Sequence, residues 1–120
     1  MRGCDTLSRM IDTCVFCRIS SGELPSEVVA SDDEFLAFRD VQPRAATHVL
    51  VVPRAHHEHL DAWIAAGGSS DRMLAFVRQV ASELDVSGRY RLITNVGADA
   101  GQVVDHLHWH LLAGTRLPGF

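Results

Sequence analysis

An α+β domain on an antiparallel five-stranded sheet is the fold class this sequence predicts, and three observations carry the prediction. Short runs rich in β-branched and aromatic residues recur with hairpin-sized connections between them, which favours antiparallel pairing. Between Gly67-Gly68 and Gly88, apolar residues recur at helical spacing and give one main helix, with a short second helix expected beside it. The chain has 120 residues, 47% of them apolar, enough for one core and too few for two.

Residues 1–13 are polar and unpatterned and read as a flexible lead-in to one domain over 14–120. Cys14 to Ile19 is apolar and carries two cysteines at C-x2-C spacing; Ser20-Ser21-Gly22-Glu23-Leu24-Pro25 then turns the chain. Val28-Val29-Ala30 is a short strand, Ser31-Asp32-Asp33-Glu34 a turn, and Phe35-Leu36-Ala37-Phe38 a second strand. Val41-Gln42-Pro43-Arg44 interrupts it. His48-Val49-Leu50-Val51-Val52 is the strongest β run, ended by Pro53. The main helix puts Met73, Leu74, Val77, Val80, Ala81 and Leu84 on its buried side, and Arg72, Arg78, Gln79 and Glu83 on the other. Ser70 is its expected N-cap, and Gly88 lies just past its end. Tyr90 to Asn95 reads as a strand, Gly97-Ala98-Asp99-Ala100-Gly101 as a glycine-rich loop, and His106 to Leu112 as the last strand.

Composition excludes several classes of function. With 22% charged residues and a net charge of −4, the chain lacks the basic surface that grips a nucleic-acid polymer; a small phosphate ligand needs only a local site. No apolar stretch approaches the ~20 residues that cross a bilayer, and the N-terminal region has no apolar segment of signal-peptide length. The expected setting is cytoplasmic, with no membrane partner. The cysteines agree, because Cys4, Cys14 and Cys17 suit reduced thiols better than a disulfide framework.

Seven histidines are many for this length, and His48, His56, His57 and His59 fall within twelve positions. Histidine titrates near neutral pH, ligates metals and attacks phosphorus, so the count points to a site. The sharpest pattern is His106-Leu107-His108-Trp109-His110. In a strand, alternation puts the three imidazoles on one side, with backbones ~6.6 Å apart, and turns Leu107, Trp109 and Leu111 to the core. Such a row can hold a metal, or attack phosphorus while a neighbour handles the proton. The preceding loop, with Asn95, Gly97, Gly101 and Gln102, offers amide donors and close backbone approach to an anionic phosphate.

His106-Leu107-His108-Trp109-His110-Leu111-Leu112 matches HxHxHxx with apolar x, and through it the chain resembles the histidine triad superfamily. The resemblance runs from Cys14 to Ala113 and includes Cys14-Val15-Phe16-Cys17-Arg18-Ile19, Leu36-Ala37-Phe38-Arg39-Asp40, Thr47 through Pro53, and Gly101-Gln102. It is strongest to the Hint branch, nucleoside phosphoramidate hydrolases. By that resemblance His108 is the nucleophile that takes the nucleotidyl group and is then freed by water. His110 contacts the phosphate and the leaving-group side, and His48 and His106 complete the catalytic histidine set. Asn95 and Gln102 match phosphate-side donors, and Asp40 the acid that binds the ribose hydroxyls. Phe16, Ile19, Leu24, Phe38 and Val41 match the walls around the base. Taken without the resemblance, those five read equally as core and Asp40 as a turn carboxylate. The implied substrate is a purine nucleoside 5′-phosphoramidate or acyl-nucleotide, cleaved at the α-phosphate with no cofactor in the chemical step. The implied assembly is a homodimer, with the helix and a sheet edge as contacts. The alternatives are a dinucleoside polyphosphate hydrolase or phosphorylase, and a nucleotide-binding interaction protein with vestigial activity.

Cys14 and Cys17 have the spacing of half a tetrahedral zinc site. Bacterial members of the superfamily complete such a structural zinc with two histidines, and the matching positions are His56 and His106. His57 and His59 are then surface residues and the nearest substitutes for His56. Two features depart from the family pattern. Val103 stands where many relatives carry a hydroxyl after the loop glutamine, which removes one donor. The chain also stops soon after the triad, at Phe120, where Hint relatives have a stretch that shapes the leaving-group pocket.

Overall fold

The computed structural model describes residues 13–119; the predicted lead-in, apart from Thr13, lies outside the described residues, as does Cys4. Five strands, β1 (Val28–Ser31), β2 (Phe35–Arg39), β3 (Thr47–Pro53), β4 (Tyr90–Ile93) and β5 (Trp109–Ala113), form one sheet in the order β1-β2-β3-β5-β4. Every neighbouring pair is antiparallel. The central β3 is buried along its length after Thr47, as its run of β-branched and apolar residues requires. Asp32 makes the first hairpin: its Oδ1 accepts from the backbone N–H groups of Glu34 (2.8 Å) and Phe35 (2.7 Å), an Asx-type turn.

Alternation along β3 sorts the side chains onto two faces. Val49 and Val51 join Phe35, Ala37, Leu107, Trp109 and Leu111 in the main core. That core is closed by a helix, Ser70–Glu83, which buries Met73, Phe76, Val77, Val80 and Ala81, and by Trp63 of the shorter Leu60–Ala65. Leu50 and Val52 face the other way and join Leu36, Phe38 and Phe16 in a smaller cluster. Phe16 comes from Val15–Ser20, a helix the sequence did not predict. In chain order the helices are α1 (Val15–Ser20), α2 (Leu60–Ala65) and α3 (Ser70–Glu83).

Four local expectations are corrected. The N-cap of α3 is Ser69, whose hydroxyl accepts from the Arg72 N–H at 3.2 Å; Ser70 is the first helical residue. Leu74 is 48% exposed, and Phe76 takes its place in the core because 73, 76, 77, 80 and 81 follow the 3, 4, 7, 8 spacing that 74 breaks. The left-handed residue after α3 is Asp85, at φ 58°, and Gly88, at φ 76°, serves the following turn. The last strand begins at Trp109, so of the three triad histidines only His110 lies in it. His106 and His108 precede the ladder, yet Leu107 still packs with Trp109 and Leu111, so the alternation holds through the lead-in.

Candidate functional site

The smaller face carries the chemistry. A cavity of about 590 Å³ opens there, with Phe16, Ile19, Leu24, Phe38 and Val41 in its walls beside Asp40, His108 and His110. All five predicted wall residues therefore meet the central and last triad histidines in one hollow. A hollow of about 660 Å³ against α3 is larger, but its lining, which includes Ala75, Arg78, Gln79 and Tyr90, contains no histidine, cysteine or carboxylate.

Hydrogen-bond partners set the tautomers of the rings. His108 Nδ1–H donates to the His106 carbonyl at 2.8 Å, so the lone pair is on Nε2. Thr94 Oγ1 donates to the His108 carbonyl at 2.8 Å and ties this residue to the end of β4. Burial holds His108 below the ordinary imidazole value, against the opposing pull of the His106 carbonyl and Asp40. It is a neutral ring with one free nitrogen.

His48, only 3% exposed, is held from both sides. The backbone N–H of Arg44 donates to its Nδ1 at 3.0 Å, so Nε2 carries the proton. That Nε2–H points to His110 Nδ1 at 2.9 Å and lies 3.4 Å from Asp40 Oδ2. His110 therefore accepts on Nδ1 and has its own N–H on Nε2. Burial lowers His48, so its contact with Asp40 joins a neutral ring to a carboxylate and is not an ion pair. Burial, followed by the neighbouring His108 and His48 rings, pushes His110 down to about 4. Because Arg44 occupies His48 Nδ1, His48 can take up a proton only by losing that bond; the geometry makes it a fixed donor.

The loop residues behave differently. Gln102 is 7% exposed and its side chain is fully committed. Its Nε2 donates to the carbonyls of Glu58 (2.5 Å) and Val104 (3.0 Å), and its Oε1 accepts from the Gly97 N–H at 2.8 Å. It latches the glycine loop to the segment after His56. Neither Gln102 nor Asn95 lines the cavity, whereas Val103, 89% exposed, does. The positive φ values of Gly97 (87°) and Gly101 (100°) explain both loop glycines.

His106 faces away from this cavity. Its Nε2–H donates to the Pro53 carbonyl at 2.8 Å, leaving the Nδ1 lone pair 3.4 Å from Cys14 Sγ and 3.5 Å from Cys17 Sγ. His56 Nδ1 lies 3.2 Å from Cys17 Sγ. The four donors fall within 4.8 Å of one another and could hold a metal ion. Tetrahedral bonds of ~2.3 Å to sulfur and ~2.0 Å to nitrogen put ligand atoms ~3.5 Å apart, close to the separations seen. Burial, followed by the Cys14 thiol, pushes Cys17 up to about 12, a cost that a bound cation would reverse. His56 Nε2 is buried without a hydrogen-bond partner, so the ring's polar contact in this cluster is made by Nδ1, on the side of Cys17. The residues present fit a metal. His59 is not a loose surface residue: its Nδ1 accepts from the Ala62 N–H at 3.2 Å and caps α2.

Comparison with known proteins agrees with the fold. The HIT domain family matches residues 21–117. An uncharacterized HIT-like protein of Synechocystis is 37% identical over 106 residues, 88% of this chain and 93% of that relative. The crystal structure of a HIT family hydrolase from Legionella pneumophila superposes with a TM-score of 0.78 at 35% identity, covering 88% of this chain and 96% of the other. A histidine triad nucleotide-binding protein from Candida albicans does so with a TM-score of 0.68 at 30% identity, covering 90% and 85%.

Proposed function

The chain belongs to the HIT domain family, and from that premise we propose that it is a nucleotide hydrolase of the Hint-like, zinc-containing kind. It cleaves purine nucleoside 5′-phosphoramidates or acyl-nucleotides at the α-phosphate through a nucleotidyl-His108 intermediate. The observation that carries the reading is the 2.8 Å bond from His108 Nδ1–H to the His106 carbonyl, which leaves an unprotonated nitrogen on a residue lining the cavity. The names of the Legionella and Candida proteins, a hydrolase and a nucleotide-binding protein, support the same class.

In this mechanism His108 Nε2 attacks phosphorus, a P–N(His) bond forms and the bond to the leaving group breaks. The His110 Nε2–H, oriented by His48, donates to the phosphate as charge redistributes. An amine leaving group takes a proton from solvent as its bond to phosphorus breaks; water then attacks phosphorus, the P–N(His108) bond breaks to free the ring, the hydroxyl stays on phosphorus and the proton returns to solvent. The apolar walls receive the base and Asp40 the ribose hydroxyls. Asn95 and Gln102 serve the phosphate side through the backbone of the loop that Gln102 holds in shape. Cys14, Cys17, His56 and His106 hold a structural zinc, whose chemistry is to fix His106, and with it the carbonyl that orients His108. We place the protein in a reducing cytoplasm, where both thiols persist, as a homodimer joined through α3 and the β4 edge.

Trapping tests this directly. A fluorogenic adenosine phosphoramidate, quenched in acid-free conditions during turnover, yields a peptide carrying AMP on His108, and His108→Ala yields none. Turnover without an adduct, or an adduct elsewhere, overturns the reading.

A further inference from the structure

The cavity wall holds one carboxylate, Asp40, which faces His48, and one arginine that makes no ion pair among the described residues. Of the two arginines in the lining, Arg39 is bound to Glu27 at 2.8 Å, while Arg44 is exposed and has no ion pair among the described residues. His48 and His110 are held in one hydrogen-bonded row, the Arg44 backbone to His48 and His48 to His110, and meet an anion as hydrogen-bonding rings. In a chain with a net charge of −4, a guanidinium in the cavity lining with no ion pair among the described residues is a local attraction for an anionic ligand.

Its position says which anion. His108 and His110 have ring centroids 5.1 Å apart, His110 and His48 lie 5.2 Å apart, and the Arg44 backbone bonds the far side of His48. The order from the attacking nitrogen is His108, His110, His48, Arg44. Arg44 lines the same cavity, and its charge acts on His110 and His48, so it lies on their side of the attacking nitrogen. We propose that Arg44 is a specificity-determining residue that binds a second anionic group of the substrate, carried beyond the α-phosphate by the leaving group or by the ribose. This rests on the reading of the cavity as a nucleotide site and names the substrate class within it.

The test compares the wild type with Arg44→Gln and Arg44→Lys, both of which keep the backbone N–H that orients His48. Three adenosine 5′-phosphoramidates share one P–N bond: alanine methyl ester, alanine with a free carboxylate, and the methyl ester with an added ribose 3′-phosphate. In Arg44→Gln, kcat/KM on one anionic substrate falls about tenfold relative to the neutral one, and Arg44→Lys restores much of that ratio. The carboxylate arm assigns the second anion to the leaving group, the 3′-phosphate arm to the ribose. An equal fall on all three substrates, or none, overturns the proposal, since Arg44 would then act on the α-phosphate or not at all. Equilibrium binding of AMP, ADP and adenosine 3′,5′-bisphosphate separates failure of this inference from failure of the catalytic reading, because it needs no turnover. If no substrate is hydrolysed, a loss in Arg44→Gln of the wild-type preference for ADP, or for adenosine 3′,5′-bisphosphate, over AMP still supports the second anion contact, and the absence of both preferences overturns it.

Discussion

His110 lies between two other imidazoles, with ring centroids 5.1 Å from His108 and 5.2 Å from His48, and its Nδ1 lone pair is already taken by the His48 N–H. Its value of about 4 in the folded protein, against ~6.5 for a free imidazole, sets a direction for stability. The folded chain binds fewer protons here than the unfolded chain, so the ring's contribution is complete above ~6.5 and lost as pH falls toward 4. The melting temperature is therefore expected to drop across that window, and His110→Asn to flatten the drop. Thermal melts at half-unit steps of pH measure both, and an unchanged slope in the variant refutes the assignment. His48 makes a similar point about protonation. Its Nδ1 is engaged by Arg44, so His48→Ala lowers kcat through the orientation of His110 without removing a limb from the pH–rate profile.

At the scale of elements, α3 shows how far periodicity reads. Phe76→Ala is expected to cost about 3–5 kcal/mol, because its ring is 3% exposed and stacks near Phe35 at 5.5 Å. Leu74→Ala, at a position 48% exposed, is expected to cost under about 0.5 kcal/mol. Urea titrations of both variants check the contrast, and equal losses contradict the burial seen here. Before α3, the chain passes Gly68, where an added Cβ would run into the Trp63 ring. Gly68→Ala is expected to destabilise by about 1–3 kcal/mol, read in the same titration. The short helix α1 was not legible in sequence, since six residues span under two turns and show no period. Its position is set by Phe16, which packs on Phe38 at 5.6 Å and on His108 at 5.1 Å.

For the whole molecule, the cysteine–histidine cluster joins three segments distant in sequence: the start of α1, the loop after β3 and the lead-in to β5. The Leu107 N–H adds a bond to the His57 carbonyl at 2.7 Å across the same junction. Because the Cys14 and Cys17 thiols suit an ion far better than each other, chelation is expected to lower the melting temperature by on the order of 10 °C, and zinc to restore it. Cys17→Ser is expected to melt lower and to ignore the chelator. Calorimetry with and without chelator decides, and an unmoved melting temperature in the wild type excludes a structural metal. No helix among the described residues is long and apolar enough to cross a membrane.

Local order determined much of this protein from sequence alone. The antiparallel sheet, the main helix, the alternation of His106, His108 and His110 against Leu107 and Trp109, and the residues gathered around the cavity all follow from spacing or resemblance, which a linear chain displays. Tertiary structure alone decided where the ladder of β5 begins, that Phe76 and not Leu74 enters the core, and which way each ring faces. It turned His106 to the sulfurs and His108 to the cavity, gave Gln102 to the loop and His59 to a helix cap, and left Arg44 without an ion pair among the described residues. The reason is physical: hydrogen-bond partners and unanswered charges are supplied by residues dozens of positions away, and composition or period holds no record of them.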